Sequence, residues 1–376
     1  MERLKLLRSC SMKKYYLLLF IVVLISACDF KSSETVKEIN LGTHVNDKAL
    51  GIKLNDIADV IQLIEIGNSD SLLLKRADVE CIHDEKLIIS GRDVLLAADM
   101  NTGKVINSIG GKGNGYGEYL MISSVAVDDV GNVYVCDLNP KRILKYNIGG
   151  QFLGNIPCRD ASSVAVLPDG NLVVALKSGS KDKSAYVVYN EFSDEIVKSR
   201  LERDTLKTAM MYLNSLDRQD GECYFKKALS DTIYQITTDT IAAFCVISPG
   251  KYRTPEENYA SLDKLKTDSR KYISIQSRTF NSKYMYLCYW LSDSMYMDLW
   301  NISENALIAR NILEKTSTEL IPGFEVEVNG AITNVVPCYM SEKYLICKFL
   351  RQEDAEKVYP VTEDTNPLLL VMRFKK

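Results

Sequence analysis

Ser124-Val125-Ala126-Val127, followed by Gly131-Asn132-Val133-Tyr134-Val135, recurs 39 residues later as Ser163-Val164-Ala165-Val166 followed by Gly170-Asn171-Leu172-Val173-Val174. Each copy is an apolar run, a turn carrying Asp with Gly-Asn, and a second apolar run. That is a β-hairpin in chemical terms, because β-branched residues favour the pleated strand and Gly-Asn tolerates the backbone of a tight turn. A looser copy lies upstream, with Val79-Glu80-Cys81-Ile82 and Leu87-Ile88-Ile89 around the turn Asp84-Glu85-Lys86. A second hairpin follows in each unit. Ile143-Leu144-Lys145-Tyr146 leads through Gly149-Gly150 to Phe152-Leu153, and Leu95-Leu96-Ala97-Ala98 leads through Asn101-Thr102-Gly103 to Val105-Ile106. Four strands in a unit of about 40 residues make a propeller blade, which buries both of its faces only when neighbouring blades pack against it.

Working outward, residues 224–247, 272–302 and 335–374 give less regular β-rich stretches, which bring the expected number of units to six. The fold class expected is therefore all-β, a six-bladed β-propeller of four-stranded antiparallel blades. The alternating residues Val60, Ile61, Leu63, Ile64 and Ile66 are left over before the first unit, and they are expected to join the last blade and close the ring. Tyr259, Leu262 and Leu265 have helical spacing between Pro255 and Lys271, which predicts a short helix inserted between blades.

The run Gly113-Asn114-Gly115-Tyr116-Gly117-Glu118-Tyr119, with Val125-Ala126-Val127-Asp128, Gly131-Asn132-Val133-Tyr134-Val135-Cys136-Asp137, Asn139, Arg142-Ile143, Tyr146 and Gly150-Gln151-Phe152, resembles an NHL repeat. Over its length the chain is also similar to the six-bladed propeller lipoproteins of gut-dwelling Gram-negative anaerobes. Asp231-Thr232-Ile233-Tyr234-Gln235-Ile236, Pro255-Glu256-Glu257 and Asn366-Pro367 before an apolar last strand carry that likeness. The resemblance implies that the glycine-rich linker and the loop at residues 139–142 share one face of the ring. Lys112, Tyr116, Tyr119 and Arg142 are then candidates to line a recognition surface. The same residues have a structural reading, in which Glu118 pairs with Arg142 and Tyr119 packs under the loop.

The N-terminus reads as an export signal: a basic start ending in Lys13 and Lys14, an apolar run of about 11 residues, and small residues at a cleavage site. That run falls short of the roughly 20 residues a membrane-crossing helix needs. Ile25-Ser26-Ala27-Cys28 looks like a lipobox, which implies cleavage before Cys28 and acylation of its thiol. The expected organisation is a signal peptide at residues 1–27, a flexible lipid-anchored tether at 28–55 and the propeller at 56–376. The tether is expected because residues 29–46 are rich in Lys, Ser, Glu and Thr. The implied location is the cell envelope, held by lipid to the outer membrane and facing the periplasm or the surface.

Removing residues 1–27 takes away five basic residues and one acidic residue, and moves the net charge from −3 to −7. With no basic run in the mature part, phosphate-backbone binding is excluded as its main work, and no nucleic-acid partner is expected. Eight cysteines follow Cys28 at irregular spacings, with no Cys-x-x-Cys pair, and read mostly as small buried hydrophobes; the sequence leaves one or two disulfides open. Only His44 and His83 occur, so neither a Ser-His-Asp relay nor a multi-histidine metal site is in prospect. The run at residues 110–117 is glycine-rich but lacks the Gly-Lys-Ser/Thr of a phosphate loop and a following helix; its glycines read as linker residues. These readings call for no cofactor. They point to a non-enzymatic binding or scaffolding module for a protein, peptide or glycan. The alternative is a metal-dependent propeller hydrolase or lyase, since lactonase-like relatives hold a metal on the axis with convergent carboxylates.

Overall fold

The computed structural model describes residues 36–376 except 48–50, 68–73, 140, 159, 179, 181–182, 191–194, 199–200, 203–204 and 316–320. Six sheets follow one another along the chain as the blades of a propeller. Their inner strands are Asp78–His83, Ile122–Val127, Ala161–Val166, Ser215–Gln219, Ser274–Phe280 and Ala331–Met340, the last of which follows and pairs with Phe324–Val328. Consecutive strands within each blade run antiparallel, so connections alternate between two faces. The hairpin turns that follow the inner strands lie on one side, called here the turn face. The links between blades, and the turns joining second to third strands, lie on the other, the linker face. Both Gly-Asn turns sit on the turn face of adjacent blades. In each, an Asp carboxylate accepts the Asn backbone N–H (Asp128 from Asn132, Asp169 from Asn171), and Gly131 and Gly170 adopt positive φ.

Ring closure follows the expectation from the spare alternating strand. Ala58–Glu65 pairs antiparallel with Leu368–Phe374 and becomes the outer strand of the sixth blade. The core consists of the spaces between blades, and one strand serves two of them. Val133 and Val135 pack with Ile88, Leu95 and Ala97 of the first blade, whereas Tyr134 and Cys136 pack with Val164, Val166 and Val174 of the third. Burial on both faces explains why these strands read as apolar runs rather than as strict alternation. At about 1.5–3 kcal/mol for each large side chain withdrawn from water, such interfaces supply the stability of the ring. All eight cysteines beyond Cys28 are unpaired thiols, five of them buried.

The inner strands of blades two, three and four are stitched by the repeat itself. Ser163 Oγ donates to Ser124 Oγ at 3.0 Å, Val164 N donates to Ser124 Oγ, and Leu216 N donates to Ser163 Oγ at 3.1 Å.

One expectation is corrected: the segment at residues 28–55 is not tether throughout. Lys37–Asn40 adds to blade four as a fifth strand, parallel to Ile241–Ser248, and Leu41–His44 forms a helical turn. Ile39, Leu41 and Val45 pack with Tyr289, Trp300 and Leu307 of blade five. Few large apolar residues occur here, yet Ile39 and Leu41 are fully buried, which is enough to fix so short a segment. The compact unit accordingly begins at Lys37. Cys28 and the proposed signal peptide lie outside the described residues.

Candidate functional site

The linker between blades one and two carries three of the four candidate ligand residues. Gly111–Lys112 pairs in parallel with Glu118–Tyr119, and Gly110 and Gly117 take positive φ where the chain reverses. A Cβ on Gly110 would meet the Tyr146 ring at 2.7–2.8 Å, and one on Gly113 would meet the Glu118 carboxylate at 2.0 Å. These glycines therefore permit close approach within the protein. The chain enters a strand afterwards, not a helix.

The resemblance placed this linker and the loop at residues 139–142 on one face, and both belong to the linker face. Their side chains divide into two pairs. Tyr119 is 3 % exposed and its hydroxyl accepts from Leu95 N at 2.9 Å; burial pushes its phenol pKa up. Arg142 Nη2 donates to the Glu118 carbonyl at 2.7 Å, so the expected Glu118–Arg142 contact exists through the backbone rather than the carboxylate. The Glu118 carboxylate instead accepts from Gly115 N. Tyr119 and Arg142 thus hold the linker in place. Lys112 pairs with Asp93 at the surface, and Tyr116 is 90 % exposed, with its ring edge-on to Phe152. Only this second pair is open to a ligand.

A larger feature on the same face escaped the sequence reading. Between blades four and five lies a cleft of about 1350 Å³. Its walls are residues 205–215, the turn of blade four at 226–231, the linker at 249–273 and the start of blade five's inner strand. The expected helix is part of that linker, as a 3-10 turn at Glu256–Ala260 and an α-helix at Leu262–Asp268 capped by Ser261 Oγ. Tyr212 and Tyr259 meet edge-on at 5.7 Å, and Ala209 N donates to Tyr259 O, so the two walls are joined at one end. Met210 and Met211, both more than half exposed, form an apolar lip. Ser274, Gln276 and Ser277 are exposed along the inner strand, whereas the inner strands of blades one to four have no exposed residue.

The cleft meets the central channel, a cavity of about 520 Å³, at Ser215 and Arg278. Arg278 bridges the two inner strands here: its Nη2 donates to Ser215 Oγ at 2.9 Å and to Asp217 Oδ2 at 2.5 Å. Where serine hydroxyls stitch blades two to four, a long side chain spans the seam between blades four and five. Deeper in the channel Arg218 reaches the turn of blade two, donating to Val127 O and Asp129 Oδ1, both at 2.7 Å. Glu80 accepts from Ser90 Oγ, and burial raises its carboxyl pKa above the ordinary range. Asp217, Asp129 and Glu80 are thus engaged by arginine or hydroxyl groups, and Asp220 accepts from Glu342 N. Among the described residues no three His, Cys, Asp or Glu side chains converge to hold a metal ion. His83 lies 3.4 Å from Asp84, its turn neighbour, and His44 pairs with Asp47 in the folded N-terminal segment. Among the described residues no helix is long and apolar enough to cross a membrane.

Two solved structures share this fold. One is a protein from Bacteroides fragilis assigned as exported, 19 % identical, covering 91 % of this chain and 100 % of its own, with a TM-score of 0.68. The other is a member of the DUF4221 family from Bacteroides vulgatus, 9 % identical, covering 88 % and 100 %, with a TM-score of 0.55. No curated protein matches the sequence significantly. A family profile matches residues 36–373, nearly the whole of the compact unit, and the chain belongs to that family, the domain of unknown function DUF4934.

Proposed function

We propose that the protein is an envelope lipoprotein, anchored through Cys28, whose propeller binds a peptide, protein or glycan on its linker face without transforming it. The observation that carries this reading is the cleft between blades four and five. At about 1350 Å³ it exceeds the roughly 300–1000 Å³ common for small-molecule sites, which suits an extended ligand. Its lining combines tyrosine rings, exposed amide and hydroxyl side chains and an arginine at the inner end, the mixture that orients a polar chain while covering its apolar faces. The exposed Tyr116 and Lys112 would extend the contact surface along the same face. The NHL-like run supplies that linker and the inner three strands of blade two, so the likeness bears on the face proposed to bind. An envelope location draws on the signal-like leader and lipobox, and accords with the exported assignment of the Bacteroides fragilis protein.

Two measurements test the proposal. Mass spectrometry of the protein from its native membrane should find an acylated Cys28 as the first residue, and Cys28→Ala should leave the membrane fraction. The mature chain should bind members of a glycan and peptide array, and Tyr259→Ala should weaken that binding at least tenfold. A soluble, unacylated wild type would remove the anchor; an array with no ligand, or ligands indifferent to Tyr259→Ala, would remove the cleft.

A further inference from the structure

Adjacent inner strands run side by side at every seam of the ring but one. Between blades four and five they part, and the cleft fills the gap. The closed seams show what such an edge needs. Ser124 Oγ accepts from Val164 N, Ser163 Oγ accepts from Leu216 N, and Ser162 Oγ donates to Asn214 O at 2.8 Å. From blade two to blade four, hydroxyls of one blade thus satisfy the backbone edge of the next.

The inner strand of blade five has no such neighbour. It is the edge strand of its sheet, and among the described residues no group of blade four bonds to the backbone of residues 274–277. The Ser274 carbonyl is covered from within the strand instead: Gln276 Nε2 donates to it at 3.2 Å and to Ser274 Oγ at 3.0 Å. Gln276 is the extra residue of a bulge, the place that Ser162 holds in blade three, where the side chain is buried against blade four. In blade five the same place is exposed, and the side chain folds back on its own strand. An unpaired strand edge is a template for a further strand. The charged groups around this edge are matched, Arg278 with Asp217, Arg253 with Asp231 and Lys271 with Asp268, and residues 274–277 are themselves uncharged.

We propose that the ligand of the cleft is an extended, uncharged peptide that adds as a strand along residues 274–277, one of its N–H groups replacing the Gln276 amide on the Ser274 carbonyl. A peptide repeats its donors and acceptors at the strand rise of about 3.3 Å per residue, which the hydroxyls of a glycan do not. Main-chain bonds of this kind supply affinity, and the side chains that alternate along the peptide supply selectivity. Tyr212, Tyr259, Met210 and Met211 on the cleft walls offer apolar surface to those side chains. This inference rests on the cleft being the binding site and narrows its ligand to a peptide backbone.

The probe is a library of acetylated, amidated hexapeptides in which Thr alternates with Val, Leu or Tyr. Affinity selection on the mature full-length chain should retain members of it, and the tightest is then made in two further copies, N-methylated at its odd or its even residues. One copy should bind at least tenfold more weakly and the other nearly as well as the parent, because an added strand pairs through one edge only. Hydrogen exchange at residues 274–277 should slow in the complex. Gln276→Ala uncovers the Ser274 carbonyl and should tighten the peptide severalfold. A library with no binder, copies that lose equally or not at all, unchanged exchange at 274–277, or a Gln276→Ala variant that binds no better overturns the inference. The cleft is decided separately: ligands from the glycan and peptide array whose binding Tyr259→Ala abolishes would keep it as the site and leave only the added strand in error.

Discussion

A single hydroxyl joins three blades. Ser163 is 5 % exposed; its Oγ donates to Ser124 of blade two and accepts from Leu216 N of blade four. Replacing it with alanine leaves a buried amide hydrogen unpaired at the centre of the ring, a loss of about 1–3 kcal/mol. Ser124→Ala keeps the bond to Leu216 but leaves Val164 N without its acceptor, so it too should cost about 1–3 kcal/mol. Guanidinium unfolding of the two variants checks this, and a negligible loss in either would sink the stitch. The 39-residue repeat made these serines equivalent in sequence, but equivalence does not say that two side chains touch; only the ring does that. Ligand residues show the same divide. Tyr116 and Tyr119 are three positions apart in one glycine-rich motif, yet one is 90 % exposed and the other 3 %. Local pattern found the loop, and the neighbouring blades decided which ring it buries. Arg278 lies in Ser277-Arg278-Thr279-Phe280, which repeats nothing elsewhere in the chain, so no local signal marked it.

At the scale of elements, the N-terminal segment is held by one buried ion pair. Asp298 and Arg310 face each other across adjacent strands of blade five with side chains wholly buried, bonded twice at 2.6 Å. Tyr289 donates its hydroxyl proton to Asp298, and Arg310 lies over the Tyr296 ring. Arg310 Nη1 then donates to the carbonyls of His44 and Asp47, at 2.5 and 3.2 Å, closing the helical turn that follows the fifth strand of blade four. Arg310→Met alone strands Asp298 in the interior and should cost about 3–5 kcal/mol. The paired change Asp298→Leu with Arg310→Met avoids that charge, so it should recover most of the stability while still losing the two carbonyl bonds. Hydrogen exchange at residues 38–46 is expected to speed up in the paired variant with little change elsewhere; unaltered protection there would show that apolar packing alone holds the segment. The sequence signal for this element was weak for a physical reason. Ile39, Leu41 and Val45 stand among charged and hydroxyl residues, a composition that suits a solvated tether, and their burial depends on a gap between blades that only the closed ring creates. Blade four begins at Ser215 rather than near 224 for a similar reason, since Ser-Leu-Asp-Arg-Gln puts polar side chains toward the channel and so departs from the apolar pattern of blades two and three.

At the scale of the molecule, the direction of one short strand bears on which way the propeller faces. Lys37–Asn40 runs parallel to Ile241–Ser248, and its end meets the beginning of the cleft linker, where a Cβ on Gly42 would stand 2.5 Å from Pro249 O. At its start, Lys37 Nζ donates to Ser282 O in the hairpin turn of blade five, on the turn face. The chain therefore enters the ring from the side opposite the cleft. Cys28 is nine residues before Lys37, a stretch that reaches no more than about 30 Å when fully extended. With the lipid on Cys28, as proposed, so short a lead should keep the turn face toward the bilayer and leave the cleft open to ligands arriving from solution. A fluorophore on Asp239→Cys, exposed on the turn face, and one on Lys264→Cys, exposed beside the cleft, report the two sides. In liposomes carrying the acylated protein and an acceptor dye in the bilayer, energy transfer should be stronger from position 239 than from position 264. Equal transfer would mean that the lead does not orient the ring, and stronger transfer from 264 would mean that the cleft meets the membrane itself, which would make a soluble peptide or glycan the wrong kind of ligand to seek.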